Sequence, residues 1–175
     1  MPIYDGQLEP VQCAVMQDGK RVAIIPDGLA KGFARYGDFD HAKPVIITHN
    51  LEAFFKVAQT GYAVALVVLP TLCNTNQIEL KAFDFEQIQF VINQLSKAGY
   101  IQLYLPVRPE HINLEPFQKL EQNTAVRLLN QYQKADQSEF LTNLYKDEGV
   151  EEVQAFIQFS IEQLSAGEWG ELLPL

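Results

Sequence analysis

The stretch "VIITHNLEAFFKVAQTGYAVALVVLP", residues 45–70, decides the fold. Its opening residues are apolar and β-branched, as a short buried strand requires. The run breaks at Thr48, His49 and Asn50, and a helical pattern follows. Asn50 suits the N-cap, because its side-chain oxygen takes an amide hydrogen that the first helical turn leaves unpaired. Glu52 falls in that first turn, where the positive end of the helix dipole favours a carboxylate. Leu51, Phe54, Phe55 and Ala58 recur at helical spacing, and Gly61 closes the helix. The segment "YAVALVVL", residues 62–69, is too continuously apolar for a half-exposed strand and reads as the central one, covered on both faces.

Toward the N-terminus, "VQCAVMQDGKRVAIIP", residues 11–26, has the pattern of a β-hairpin with Asp18-Gly19 as its tight turn. Folding it there pairs Val15 with Val22 and Cys13 with Ile24 on one face, and Met16 with Arg21 and Ala14 with Ala23 on the other. Residues 27–43 hold Gly28, Gly32 and Gly37 and mixed charge, and read as a connection with at most a short helix over Leu29–Tyr36.

On the C-terminal side, the polar loop "TLCNTNQ" (71–77) leads to a short alternating piece, Ile78 to Ala82. Asp84 then opens a second helix, with Gln87 three residues on as in a capping box. Phe85, Ile88, Val91, Ile92 and Leu95 are its buried stripe and Gly99 its stop. "YIQLYLP" (100–106) reads as a strand near an edge, with Ile101, Leu103 and Leu105 alternating against Tyr100, Gln102 and Tyr104. Beyond residue 110 the pattern turns helical. Pro116 starts a helix carrying Phe117, Leu120, Leu128, Leu129 and Tyr132, and Ser138 caps a short one with Leu141, Leu144 and Tyr145. Residues 150–165 bury Val153, Phe156, Ile157, Ile161 and Leu164.

These elements make one domain, 1–175, of α+β or α/β class. An N-terminal β-hairpin joins a small mixed sheet with two packing helices, and an all-helical C-terminal layer follows. A change of character near residue 110 separates the mixed sheet and helices of 1–109 from the helices of 110–175.

A chain of 175 residues buries enough surface to need no metal or disulfide framework. Its longest clean apolar run, Tyr62 to Leu69, is far short of the roughly 20 residues of a bilayer-spanning helix, so no membrane partner is expected. "MPIYDGQLEP" lacks the basic start and apolar core of a secretory leader, and the expected location is cytoplasmic. Cys13 and Cys73 have neither CxxC nor Cys/His spacing, which points to neither a redox motif nor a zinc site. No cofactor is indicated.

Charge is more informative. Asp147, Glu148, Glu151, Glu152, Glu162, Glu168 and Glu171 contribute −7 of the net −9, and no lysine or arginine follows Lys146. An acidic exterior repels phosphate backbones, which excludes nucleic acid as the expected ligand. Glu151, Glu152, Glu162, Glu168, Trp169 and Glu171 form the candidate partner surface: an aromatic anchor among acids has the composition of a docking face for a protein with a basic surface.

The second candidate is Thr48, His49 and Asn50, with Asn74 and Asn76 of the "CNTN" loop at the same end of the sheet. A strand-to-helix junction is where open α/β sheets place ligand-binding groups. Against it stands the plainer reading that Asn50 caps, Thr48 ends the strand and His49 fills the turn, since proton transfer needs a partner in reach. "GDFDH" brings Asp38, Asp40 and His41 together, too few oxygens for a hard cation and not an EF-hand. Lys31 and Arg35, one helical turn apart in the expected helix, form a small basic spot. His111 has no metal-ligand spacing to its neighbours. No GxxxxGK[ST], GxGxxG, GxSxG, HExxH or SxxK occurs, which disfavours the enzyme classes with compact signatures. A non-catalytic interaction module, such as an adaptor, inhibitor or immunity-type protein, is therefore the leading expectation. A pocket around His49 that binds a small molecule or anion, as a binding protein or an enzyme, is the alternative.

Overall fold

Residues 63–67 lie at the centre of one continuous sheet, and every side chain there is buried. The computed structural model describes residues 1–17, 20–69, 82–100, 102–105, 125–128 and 144–165. Along the chain run β1 (Pro2–Tyr4), β2 (Pro10–Gln17), β3 (Lys20–Ile25), β4 (Phe33–Tyr36), β5 (Val45–Thr48), α1 (Leu51–Ala58), β6 (Ala63–Val67), α2 (Ala82–Lys97), β7 (Gln102–Leu105), β8 (Ala125–Leu128) and α3 (Val150–Ser165). The strands form an eight-stranded sheet in the order β3-β2-β1-β4-β6-β5-β7-β8. From β3 to β6 neighbouring strands are antiparallel, and from β6 to β8 they are parallel.

The parallel half follows from strand alternation. Ile46, Val64, Leu66 and Tyr104 point to one face, where they meet Phe54 and Val57 of α1 and Val153 and Ile157 of α3. Val45, Ile47, Ala63, Ala65, Val67 and Leu103 point to the other, against Ile88, Val91, Ile92 and Leu95 of α2. Complete burial of an Ile, Val or Leu side chain contributes about 1.5–3 kcal/mol, so these two layers hold the sheet between the helices. The opposite placement of α1 and α2 has a topological cause. The chain steps from β5 to β6 in one direction and from β6 back past β5 to β7 in the other, and right-handed crossovers then require helices on opposite faces.

Of the two classes open from the sequence, α+β and α/β, the fold is α+β with a mixed sheet, and several details differ. The expected connection over 27–43 contains β4, which pairs with β6 through Phe33↔Val67 and Ala34↔Leu66. Four residues between Gly32 and Gly37 are too few to show a period, and Arg35 interrupts their apolarity. Gly32 is required there, because a Cβ would overlap the carbonyl oxygen of Tyr4 on the adjoining strand. The second correction is β8: residues 125–128, expected within a helix, pair in parallel with β7, so the C-terminal part is not all-helical. With β8 beside it, β7 is an inner strand, and Leu103 and Tyr104 are both fully buried.

The hairpin keeps its expected register only near the turn. Met16↔Arg21 holds, but a bulge between Val15 and Met16 shifts the rest to Val15↔Ala23, Ala14↔Ile24 and Cys13↔Ile25. The bulge puts Ala14 and Ile24 together in the core and turns Cys13 outward. In α2 the start is Ala82, so Asp84 lies inside the helix and does not cap it. Gln87 is buried and donates to the Ala30 carbonyl, while Gln94 donates to that of Lys31. In α1 the buried face is Ala53, Phe54 and Val57, and Phe55 is 54% exposed. No helix among the described residues is long and apolar enough to cross a membrane.

Candidate functional site

Thr48 ends β5 fully buried, and its hydroxyl oxygen accepts the Asn50 amide at 3.1 Å. Asn50 has extended backbone, and its Oδ1 accepts the Ala53 amide at 3.0 Å. Both side chains therefore perform the turn and cap that their types favour. Glu52 in the first turn of α1 pairs with Lys146 at 3.4 Å across an exposed surface, a contact worth at most about 1 kcal/mol. His49, between the two capping residues, is half-buried and has an interaction of its own.

What the sequence could not show is where this turn sits in the sheet. Parallel pairing of β5 with β6 and with β7 brings the carboxyl ends of all three strands to one rim. At that rim the chain turns from β5 into α1 on one face, while α2 occupies the other. His49 thus stands where the strand order reverses, the place at which open α/β sheets form a crevice. Asn74 and Asn76 follow β6, whose carboxyl end is on the same rim, and lie outside the described residues.

The acidic candidates are divided. Asp147, Glu148, Glu151 and Glu152 are exposed at the start of α3 and in the helical residues before it. Glu162 is exposed three turns along α3, about 16 Å away by helical rise, and its charge adds to burial, the larger cause, in raising the Tyr62 pKa. Glu151 and Glu152 also occupy the first turn, where the helix dipole stabilises carboxylates without any partner. Glu168, Trp169 and Glu171, with Cys73 and His111, lie outside the described residues.

The remaining candidates have structural uses. Asp38 is bound to Lys43 at 2.8 Å, and Asp40 accepts the Ala42 amide. The Lys43 ammonium holds the Asp38 carboxyl below its usual range. His41 stacks on Tyr100 with ring centroids 4.4 Å apart. Among the described residues no group of three or more His, Cys, Asp or Glu is placed to hold a metal ion. Lys31 and Arg35 do not share a helix: Lys31 is exposed in the loop before β4, and Arg35 lies on β4 with its guanidinium over the rings of Tyr4 and Phe39 at 5.1 and 5.3 Å. Gln12, which sequence reasoning passed over, is a buried amide that donates to the carbonyls of Pro26 and Leu29 and accepts the Lys31 amide. A glutamine flanked by apolar residues inside a strand was the available signal.

Comparison with protein-family models, with curated proteins and with solved structures finds no match.

Proposed function

We propose that this protein binds a small polar ligand in the crevice at the carboxyl ends of β5 and β7, with His49 as its contact from the β5 turn. The observation that carries this reading is the reversal of strand order at β5, which puts α1 and α2 on opposite faces of the sheet and the turn holding His49 at the rim between them. Thr48 and Asn50 support it indirectly: by bonding the backbone of the turn they fix the position of the histidine between them.

Thermal denaturation across a panel of small polar metabolites tests the proposal. A ligand at 100 times its Kd stabilises by about 2.7 kcal/mol, a rise of roughly 5–10 °C in Tm for a domain of this size. That rise is expected to disappear in His49→Ala and to survive in Glu151→Gln. A panel that moves Tm nowhere, or moves it equally in His49→Ala, counts against the crevice.

A second reading is supported by the four exposed carboxylates within residues 147–152, whose basic neighbour Lys146 is already paired with Glu52. On this reading the start of α3, with Glu162, Glu168, Trp169 and Glu171, docks a protein with a basic surface. Binding to such a partner would weaken sharply between low and high salt. Retention unaffected by salt would remove the electrostatic basis.

A further inference from the structure

Three aspartates in this chain are followed by glycine, at Asp5-Gly6, Asp18-Gly19 and Asp27-Gly28. An aspartate in this setting can close a five-membered ring on the backbone, because the next nitrogen carries no Cβ past which the side-chain carboxyl must turn. Asp18-Gly19 lies outside the described residues, and the fold treats the other two pairs differently. At Asp27 the Gly28 amide donates to Oδ1 at 2.9 Å, so the attacking nitrogen and the carboxyl it must reach already lie together. Both residues are exposed, Gly28 has a φ of +130°, and no described atom lies within 4 Å of where its Cβ would stand. The loop is fixed on either side of this peptide and not at it: Gln12 donates to the carbonyls of Pro26 and Leu29 at 3.2 and 3.1 Å. At Asp5, by contrast, Oδ1 accepts the amides of Gln7 and Glu9 at 2.9 and 3.0 Å, and the Asp5 backbone bonds Leu8 and Glu9. Gly6 is pressed against α2, where a Cβ would come 2.6 Å from the Gln94 carbonyl oxygen. The Asp5 carboxyl must therefore break two hydrogen bonds before it can reach the Gly6 nitrogen.

We propose that Asp27-Gly28 is a site of spontaneous backbone rearrangement to isoaspartate, favoured over Asp5-Gly6 by the fold. The Gly28 nitrogen bonds to Asp27 Cγ. The nitrogen gives up its proton and the carboxyl its hydroxyl, and the two leave as one water. Water then opens the ring. Attack at the main-chain carbonyl of Asp27 leaves Gly28 attached through the side chain, which is isoaspartate, and attack at Cγ restores aspartate. The water released is returned, and no oxidant, reductant or cofactor takes part. The product carries its free carboxylate on Cα and one additional methylene in the main chain. That methylene falls between the two carbonyls that the Gln12 carboxamide holds, so the lengthened loop no longer matches its clamp. Gln12 is buried in β2 and also accepts the Lys31 amide, so a change at an exposed peptide bears on a buried residue of the sheet.

Prolonged warm incubation of the folded chain in mildly acidic buffer, followed by peptide mapping with mass spectrometry, tests it. The peptide holding Asp27 should accumulate a form lighter by one water and an isoaspartyl form of unchanged mass, which fragmentation of the rearranged bond identifies. Its yield is expected to exceed that at Asp5 roughly tenfold, the factor given by a barrier difference of about 1.4 kcal/mol. In guanidinium chloride, where neither carboxyl keeps its native partners, the two sites should react at similar rates. Asp27→Glu would have to close a six-membered ring and should abolish the product, whereas Asp27→Asn expels ammonia and should form it faster. A carboxyl methyltransferase specific for isoaspartate should methylate the Asp27 peptide of the incubated chain and not that of fresh protein. Equal yields at Asp5 and Asp27 in the folded chain, or an Asp27 that stays unchanged, overturn the proposal. So does a preference for Asp27 that persists in guanidinium chloride, since the neighbouring sequence and not the fold would then set it.

Discussion

Asn50 is the residue at which a purely structural turn and a ligand site make different demands, and three substitutions separate them. Its Oδ1 accepts the Ala53 amide at 3.0 Å, and α1 is only eight residues long. Asn50→Ala leaves that amide without its side-chain partner at a half-buried position, and loss of such a cap costs about 1 kcal/mol. For a domain of this length that is a fall of roughly 2–4 °C in Tm, or an equivalent drop in the urea midpoint at unchanged m. Asn50→Asp keeps the acceptor and adds a charge that the helix N-terminus favours, so its stability should match the parent within a few tenths of a kcal/mol. Thr48→Val keeps the shape of the buried side chain but removes the oxygen that accepts the Asn50 amide, and should cost about 1–2 kcal/mol. If the carboxamide also contacts ligand, Asn50→Asp abolishes ligand-induced stabilisation in a protein of normal stability. Urea unfolding of the three variants decides the structural part. Equal destabilisation by Asn50→Ala and Asn50→Asp would refute the capping argument, since only the first removes the acceptor.

Two further outcomes are expected. Gln12→Leu strips three backbone groups of their buried partner and should lower stability by about 3 kcal/mol, read as a drop in the urea midpoint; a neutral result would mean that the loop at 26–31 is held by other contacts. In base, Tyr62 should ionise above the ordinary phenol range because of its burial, then the charge of Glu162, then Tyr104. A raised native pKa favours the neutral phenol, so this contribution is intact below about pH 10 and is lost as pH climbs through the native value. Absorbance titration of Glu162→Gln should show Tyr62 shifted back toward ordinary behaviour, and an unchanged curve would exclude the glutamate as a cause.

Local chemistry accounts for the parts of the fold that were legible in the sequence. The cap at Asn50, the stop at Gly99 and the buried stripe Ile88, Val91, Ile92 and Leu95 depend on residues within a turn or two of one another. The continuous apolarity of residues 62–69 marks a strand covered on both faces, because only burial on both sides tolerates it. The bulge at Val15, the strand at Phe33–Tyr36 and the strand at Ala125–Leu128 escaped because each is settled by its partner across the sheet. A four-residue strand has too few positions to declare a period.

The candidate site divides along the same line. Sequence by itself determined that Thr48 ends the strand and Asn50 caps the helix, since the acceptor of a cap reaches an amide only three residues away. Only tertiary structure decided that this turn stands on the rim where strand order reverses. That is a consequence of pairing between segments far apart in the chain: the order of strands and the side chosen by each helix arise from burying two apolar faces at once, and no local pattern encodes them.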